Sequence, residues 1–227
     1  YRPVTEEVIE KLPKTLALAA AGAVMTAVLG IAIGVLAALK QGSSFDTLCV
    51  LGSLFGISMP SFWLGLLLIM AFAVNLRLLP SFGASEPASI ILPAVTLGIH
   101  GTATITRLTR ANMLEVVRQD YIRTARSKGV PERVVMYKHA LRNALIPVVT
   151  MLGLDFGYNV GRAVVVETVF AWPGIASLAV TAIRLRDIPV LQGAILAMVL
   201  TFVFVNLGVD IMYSYLNPKI TYEQSTI

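Results

Sequence analysis

Charged side chains are scarce in this sequence. Asp, Glu, Lys and Arg make up 14% of its 227 residues, whereas a soluble domain typically carries about 25%. Hydrophobic residues reach 56%, and the mean hydropathy is +0.78. This composition excludes an intrinsically disordered chain and argues against a soluble fold. It is typical of a protein whose apolar segments lie in a lipid bilayer.

Cysteine is almost absent as well. Cys49 is the only one, so the chain cannot form an internal disulfide or a multi-cysteine metal site. The phosphate-binding pattern GxxxxGK[ST] is also missing from the sequence, which excludes ATP binding of that type by this chain. We therefore expect no metal site, no bound cofactor and no catalytic residue here.

Long uncharged runs dominate what remains. Four of them contain no Asp, Glu, Lys or Arg: 15–39, 47–76, 87–106 and 188–209. Each run meets the roughly 20 residues that a membrane-spanning helix needs. A fifth run, 143–166, is apolar apart from Asp155 and Arg162. The runs predict an all-α fold, a polytopic membrane helix bundle of about five spans.

Basic residues predict the orientation of these spans. Between residues 107 and 142 the sequence has nine Lys and Arg against three acidic residues, and such an excess marks a cytoplasmic segment. Because successive spans cross the membrane in opposite directions, the other segments can be assigned to one side or the other. The predicted cytoplasmic segments are 40–46 and the tail after residue 217, and the predicted outer segments are the N-terminus, 77–86 and 167–187.

Two features inside the spans indicate a transport path. Pro60, in the stretch GISMPSFWLG (56–65), removes a backbone donor and is expected to break its helix, and a broken helix can serve a transport path. Asp155 is a charge within a span, and such charges usually face the interior of the bundle. Both are candidate path residues, although a hydrogen-bonded packing role explains Asp155 equally well.

The passage DYIRTARSKGVPERVVMYKHALRNALIP (120–147) concentrates basic residues around one glycine. Residues 111–128 favour a helix, and Gly129 supplies the non-helical turn that ends it. Pro131 suits the first turn of a new helix. The predicted product is a helix, a glycine turn and a second helix that project from the cytoplasmic face.

Helical spacing places Tyr121, Ala125 and Lys128 on one side of the first helix, and Arg123 and Arg126 on another. An apolar stripe framed by cations fits a groove on a protein. Two other roles stay open on the residues alone. The charges set topology and attract anionic lipid, or they bind nucleic acid, for which the segment has few aromatic residues.

The outer segment 167–187 contains a turn at Trp172, Pro173 and Gly174, followed by an apolar stretch too short to span comfortably. It predicts a surface or re-entrant helix at the outer mouth of the bundle. Glu167, Trp172 and Ser177 are the candidates for gating the path or contacting a receptor. An aromatic anchor at the membrane interface is the alternative.

Several stretches together carry a family resemblance. YIRTARSKG (121–129) and HALRNALIPVVT (139–150) resemble the cytoplasmic coupling loop of ATP-binding-cassette (ABC) importer permeases, in the variant used by the peptide and nickel branch. Four further stretches are similar to segments of the first permease subunit of that branch: SMPSFWLGLLLI (58–69), RLTRANMLEV (107–116), VVVETVFAWPGI (164–175) and RDIPVLQGA (186–194). Of the wider family's pattern, the second Ala, the Gly and the Leu are matched by Ala125, Gly129 and Leu141. Its Glu, its first Ala and its final Pro are replaced by Arg123, Thr124 and Arg142.

The resemblance implies a type I ABC importer (MetI-like) permease fold, with residues 1–227 as one permease domain and 111–142 as its cytoplasmic coupling loop. The implied protein is a non-catalytic, multi-pass subunit of a binding-protein-dependent importer in the bacterial inner membrane. Peptides are the implied cargo, and nickel or another small solute is the alternative. A membrane anchor or scaffold without a pathway is the second class of function.

The implied partners are a second homologous permease subunit, two cytoplasmic ATPase subunits that bind ATP and Mg²⁺, an extracytoplasmic substrate-binding protein and membrane lipid. Nucleic acid is not among them. The implied ATPase-coupling residues are Arg123, Thr124, Ala125, Arg126, Lys128, Gly129 and Val130. Permeases of this branch usually begin with a further span, so we expect residues 1–227 to lack an N-terminal segment.

Overall fold

The structure is a computed structural model that describes residues 3–216, and every regular element in that range is helical. In chain order the elements are α1 (Val4–Leu39), α2 (Ser44–Ser58), α3 (Ser61–Leu68) with a π-helical continuation (Ile69–Asn75), a 3₁₀ turn (Pro87–Ile90), α4 (Ile91–Val116), α5 (Asp120–Ser127), α6 (Glu132–Val134) with a π-helical continuation (Val135–Ala140), α7 (Leu141–Val169), α8 (Ile175–Leu185) and α9 (Ile188–Leu216). The predicted all-α fold is confirmed over this range.

Four helical segments are long and apolar enough to cross a membrane: Val4–Leu39, Pro87–Val116, Glu132–Val169 and Ile188–Val209. α2 and the helix that follows it pass the same criterion together, and they make a fifth span if the bent pair crosses as one. The predicted bundle of about five spans is therefore confirmed. The predicted cytoplasmic tail after residue 217 lies outside the described residues.

The first helix starts earlier than the uncharged run predicts. α1 begins at Val4 and not at residue 15, which adds about three turns. Val8 and Leu12 in these turns pack against a buried cluster that includes Ile175 and Ala194. Packing against other helices stabilises helical segments more than local propensity does, so the helix extends beyond the boundary that charge alone would set.

A sharp break separates α2 from α3. The two helices are bent by 107° relative to each other. Met59 is extended, with φ −78° and ψ 123°, and Pro60 follows with φ −62° and ψ 133°. Proline disfavours the helical conformation in the residue before it and removes a backbone donor. The predicted break at Pro60 is confirmed.

α1 lies closely against α4 through small residues. A Cβ atom at Gly34 would be 2.7 Å from the carbonyl oxygen of Thr106, and one at Gly30 would be 2.8 Å from the side chain of Ile105. At these distances only glycine fits without a shift of α4. Glycine in the first span predicted close helix packing, and the structure confirms it.

Contacts at the two ends of the bundle agree with the predicted alternation. Arg110, near the end of α4, is paired with Asp46 at the start of α2, so the turn before α2 lies at the same end as the basic segment. At the other end the amide of Gly83 donates to the carbonyl oxygen of Phe170 at 2.9 Å. This bond joins the loop before α4 to the segment after α7, as two outer segments require.

Candidate functional sites

The segment predicted to be cytoplasmic consists of separate helices where the sequence predicts one continuous helix over 111–128. α4 ends at Val116, and α5 begins at Asp120. Between them Gln119 is extended, with φ −71° and ψ 150°, and turns the chain. The prediction of a single helix is wrong because helical propensity does not register the packing that folds α5 back onto the bundle.

Gly129 ends α5 as predicted, in a defined hydrogen-bonded turn. Its φ is +76°, its amide donates to the carbonyl oxygen of Arg126 at 2.9 Å, and the amide of Val130 donates to the carbonyl oxygen of Ala125 at 3.3 Å. These two bonds form a Schellman motif, whose left-handed residue is usually glycine. A Cβ atom at Gly129 would meet nothing within 4 Å. The backbone conformation, and not lack of space, is therefore what requires glycine here.

An ion pair bridges the same turn. Arg126 donates from Nη2 to Glu132 Oε1 at 2.6 Å and from Nε to Glu132 Oε2 at 3.1 Å. This two-point geometry is the strong form of an arginine–carboxylate contact. The hydrogen-bonded Glu132 carboxylate also raises the pKa of the Arg126 guanidinium above its ordinary value. Arg126 therefore braces α5 against α6.

α5 rests on the end of the bundle through one apolar side. Ile122 is 0% exposed and packs in a cluster that contains Met113 of α4. Ala125 is half-buried and packs against the same cluster. The sequence pattern places Ala125 in an apolar stripe that fits a groove on a partner protein, whereas in the structure Ala125 packs partly against the bundle itself. Ile122, three positions earlier and thus on the same side, is the anchoring residue, and the sequence pattern alone does not indicate this role.

The opposite side of α5 and its turn are exposed. This surface, the α5 face, consists of Arg123, Thr124, Ser127, Lys128 and Gly129. On it, Arg123 lies 3.6 Å from Asp120, and both side chains are highly exposed. A pair of this kind constrains neither partner strongly, so the α5 face keeps its cationic groups available for contact.

A cavity of about 290 Å³ lies at the break between α2 and α3. Pro60 and Ser61 line it from the break, Thr96 and His100 from α4, and Arg162 from α7. Pro60, one of the two predicted path residues, therefore borders a partly open space between α2, α3, α4 and α7.

Asp155, the other predicted path residue, does not line this cavity. It is 5% exposed. Its Oδ2 accepts a hydrogen bond from Asn159 Nδ2 at 3.2 Å, and its Oδ1 accepts one from Arg162 Nη1 at 3.4 Å. No group of three His, Cys, Asp or Glu side chains that could hold a metal ion occurs in the described part of the chain. Asp155 is thus a buried partner of Arg162, and Arg162 is the charged group that reaches the cavity.

The carboxylate of Asp155 occupies the place where α1, α4 and α7 meet. A Cβ atom at Gly101 of α4 would collide with Asp155 and would lie 2.7 Å from the hydroxyl oxygen of Thr26 in α1. The Thr26 hydroxyl itself donates to the carbonyl oxygen of Gly98 at 3.0 Å. Because residue 101 is a glycine, there is room between the helices for the buried carboxylate of Asp155.

A second buried carboxylate anchors α8, the helix predicted at the outer mouth. Glu167 is 0% exposed. Its Oε1 accepts the Thr15 hydroxyl at 2.5 Å, and its Oε2 accepts the amide of Ser177 at 2.8 Å. Thr15 Oγ1 in turn accepts the amide of Ile175 at 2.8 Å. Glu167 therefore ties α1 and α7 to the first turn of α8.

The three residues predicted for the outer mouth lie together around a groove of about 300 Å³. Trp172 is 6% exposed, and its Nε1 donates to a backbone carbonyl of α1 at 3.0 Å. Glu167 offers no surface that a receptor could touch, so a direct receptor contact by its carboxylate does not fit the structure. Ser177 is partly accessible, and the exposed residues Thr181 and Arg184 continue the groove.

Comparison with known proteins gives matches along most of the chain. Residues 30–222 match the family model described as "Binding-protein-dependent transport system inner membrane component". The chain is 45% identical over 222 residues to the glutathione transport system permease protein GsiC of Escherichia coli K12, and equally to GsiC of Shigella flexneri serotype 5b. These alignments cover 98% of this chain and 72% of each relative.

Solved structures of lower sequence identity share the fold. A chain of the inward-facing MetNI methionine ABC transporter superposes with a TM-score of 0.78 at 18% identity, covering 95% of this chain and 99% of that chain. A chain of an amino acid ABC transporter crystallised with histidines gives 0.68 at 19% identity, covering 95% of both. At these identities the similarity concerns the fold alone, and the predicted fold class is confirmed.

Proposed function

Since the chain belongs to the family of binding-protein-dependent transport system inner membrane components, it is a permease subunit of an ABC importer, and we propose that it carries small peptides. It is a multi-pass inner-membrane protein without catalytic activity, because ATP hydrolysis in such importers belongs to separate ATPase subunits. A substrate-binding protein is the other partner that this class of importer requires.

We propose further that a second homologous permease subunit completes the translocation path, so that this chain forms half of it. Two ATPase subunits would bind ATP and Mg²⁺ below the membrane. Membrane lipid would cover apolar side chains that stay exposed in the described helices, such as Leu196 and Phe204 of α9, which are 60% and 66% exposed. Aliphatic and aromatic groups of this kind are stable in contact with lipid chains.

Coupling to the ATPase subunits is assigned to the α5 face. The observation that carries this assignment is that α5 is exposed on one side and anchored on the other. Ile122 packs in one cluster with Val35 of α1, Met113 of α4 and Ala144 of α7. A shift of α5 by a moving ATPase would therefore act on three membrane helices at once, because packed interiors transmit displacement.

Within this segment the predicted residues divide into two roles. Arg123, Thr124, Lys128 and Gly129 belong to the exposed α5 face and would contact the ATPase. Ala125, Arg126 and Val130 position that face, since Ala125 and Val130 pack against the bundle and Arg126 is paired with Glu132. The cationic side chains predict an acidic rim on the ATPase cleft.

A cross-link tests the coupling assignment. In the complete importer, Thr124→Cys is expected to form a disulfide or short cross-link with a cysteine introduced at the ATPase cleft, because Thr124 is exposed on α5. Ser85→Cys is the matched control, since it is exposed in the loop before α4 at the opposite end of the bundle. Cross-linking to the ATPase from residue 85, or none from residue 124, would contradict the assignment.

The peptide cargo is supported by the 45% identity to a permease named for glutathione, which is itself a tripeptide. The test is uptake by proteoliposomes that contain the complete importer and its binding protein. ATP-dependent accumulation of labelled glutathione or trialanine is expected. Uptake of neither peptide, under conditions in which the ATPase is active, would contradict a peptide cargo.

The outer groove is proposed as the place where the binding protein meets this subunit. Ser177, Thr181 and Arg184 give it polar and cationic character, and the Glu167 network holds α8 in position beneath it. A cysteine at Thr181, which is exposed, should cross-link to the docked binding protein in the nucleotide-bound state. A cysteine at Thr124 should not.

A further inference from the structure

Arg162 is a cation in the second half of α7, two helical turns before the helix ends at Val169. Its side chain is 40% exposed, and it lines the cavity at the Pro60 break together with His100. A charge within a membrane span is costly, and such residues usually face a bundle interior or a water-filled cavity with a function. Its position at a cavity, with an unpaired part of the guanidinium accessible, favours an anionic occupant.

The contacts of Arg162 leave most of its donors unused. Nη1 donates to Asp155 Oδ1 at 3.4 Å, and the guanidinium carbon lies 5.9 Å from the centre of the Tyr158 ring. An arginine carries five N–H donors in a planar fork. Within residues 3–216 the guanidinium makes no hydrogen bond other than the one to Asp155. The carboxylate and the ring therefore hold the group in place while the rest of the fork stays free.

Asp155 is suited to positioning and not to binding. It is 5% exposed, adjoins Gly101 and is not among the residues that line the cavity, so a substrate in the cavity would meet Arg162 instead. Its second oxygen is engaged by Asn159. A carboxylate fixed in this way orients the guanidinium of Arg162, which lies two helical turns further along the same face of α7.

The cavity has the dimensions and polarity of a subsite for one charged end group. A volume of about 290 Å³ is at the lower limit for small-ligand pockets, and it is large enough for a carboxylate and the adjoining residue of a peptide. Ser61 opens α3 at its rim, and the start of a helix adds positive potential to that of Arg162.

We propose that Arg162 binds the carboxylate of the translocated substrate through a two-point contact, with Asp155 as its positioning residue. This inference rests on the proposed peptide transport, and it adds a selective step within the membrane subunit itself. A carboxylate and a phosphate are both oxyanions that an arginine can bind. The phosphate of an anionic lipid is therefore the competing occupant, and the test has to distinguish it from the substrate.

The test compares a free acid with its amide. The complete importer, purified through a tag on this chain, is reconstituted with its binding protein and assayed with glutathione and with glutathione whose glycine carboxylate is amidated. The affinity of the binding protein for each compound is measured separately. The acid-to-amide ratio of uptake, divided by the corresponding ratio of binding, isolates the preference of the membrane subunits.

The native importer is expected to favour the acid by roughly tenfold, the effect of one charge-assisted hydrogen bond. Arg162→Gln should bring the ratio close to one. Arg162→Lys should retain part of the preference, because it keeps the charge and loses the planar fork. Asp155→Asn should lower uptake of the acid and leave uptake of the amide unchanged, which a merely structural effect would not do.

Each contrary outcome is distinct. If the native importer takes up acid and amide in the same ratio in which the binding protein binds them, the role of Arg162 is overturned. Peptide transport itself is then still supported. If Arg162→Gln loses acid and amide uptake equally, the proposal is overturned as well. If that loss occurs only in liposomes that contain anionic lipid, a lipid phosphate is the occupant of the cavity. Absence of any peptide uptake by the native importer overturns both proposals. If Arg162→Gln does not assemble, the native ratio and Arg162→Lys decide the question.

Discussion

Arg110 and Asp46 are joined by two hydrogen bonds, from Nη2 to Oδ2 at 2.7 Å and from Nε to Oδ1 at 2.5 Å. Asp46 is 4% exposed and also accepts the amide of Gly42 at 3.0 Å. The pair therefore ties the turn before α2 to α4, close to the point where α4 ends and α5 begins.

Loss of the arginine from this pair is expected to destabilise the subunit. Arg110→Met leaves the Asp46 carboxylate without its counter-charge, and because the pair is only part-buried the cost is on the order of 1–3 kcal/mol, as for a lost hydrogen bond to a charged group. The unfolding temperature of the purified protein should fall by several degrees, at about 2–4 °C per kcal/mol. Arg123→Met is the matched control, because the Arg123 and Asp120 side chains are exposed at 3.6 Å separation and such pairs contribute little. Equal unfolding temperatures for the two variants would contradict this account.

Gly129 is expected to control coupling through its backbone conformation. Gly129→Val places a β-branched residue at φ +76°, which costs ~1–2 kcal/mol and distorts the Schellman turn. The subunit should still insert and assemble, but peptide uptake per ATP hydrolysed should fall. Gly129→Asn is the control, since asparagine adopts the left-handed conformation more readily. A native uptake-to-hydrolysis ratio in Gly129→Val would show that the turn does not transmit motion.

Ile122 is expected to hold α5 on the bundle. Ile122→Ala removes apolar volume from a fully buried site, and substitutions of this kind cost about 2–5 kcal/mol. Hydrogen exchange of residues 120–127 should accelerate in the isolated subunit, because local opening becomes easier. Thr124→Ala, on the exposed side of the same helix, loses only a hydroxyl that bonds the Asp120 carbonyl oxygen at 2.9 Å. Matching exchange rates in the two variants would refute an anchoring role for Ile122.

The Glu167 network is expected to hold α8 in place. Glu167→Ala leaves the buried Thr15 hydroxyl and the Ser177 amide without their acceptor, and each unsatisfied buried group costs about 1–3 kcal/mol. Exchange of the amides in Ile175–Leu185 should rise, with little change in α9. The neighbouring Thr168→Ala is the control, because Thr168 is exposed and bonds only the Val164 carbonyl oxygen within its own helix. Unchanged protection of α8 in Glu167→Ala would mean that apolar packing alone holds it.

Much of the fold could be predicted because membrane spans, helix breaks and helix ends are signalled by local sequence. Uncharged runs reveal the spans, since each span has to be apolar over its whole length and to pair its own backbone polar groups within the bilayer. Pro60 and Gly129 act through their own backbone geometry, and both break the chain where the sequence predicts. The start of α8 is likewise indicated by the turn residues Trp172, Pro173 and Gly174 that precede it.

The remaining features depend on which elements come together, which local sequence does not encode. α1 extends to Val4 because α8 and α9 lie beside it. Ala125 turns inward because α5 folds back onto the bundle. Arg162 has its proposed role because it lines the same cavity as Pro60, which lies about 100 residues earlier in the chain. In each case the missing information is a contact between residues far apart in the chain.

Gly101 and Asp155 share one space, since a Cβ atom on the first would overlap the carboxylate of the second. A side chain at residue 101 would push the Asp155 carboxylate and the Thr26 hydroxyl from their present positions. Arg162 would then lose the geometry of its only carboxylate contact within residues 3–216. A change on α4 would thus alter the orientation of a cation on α7 that it does not itself need to touch.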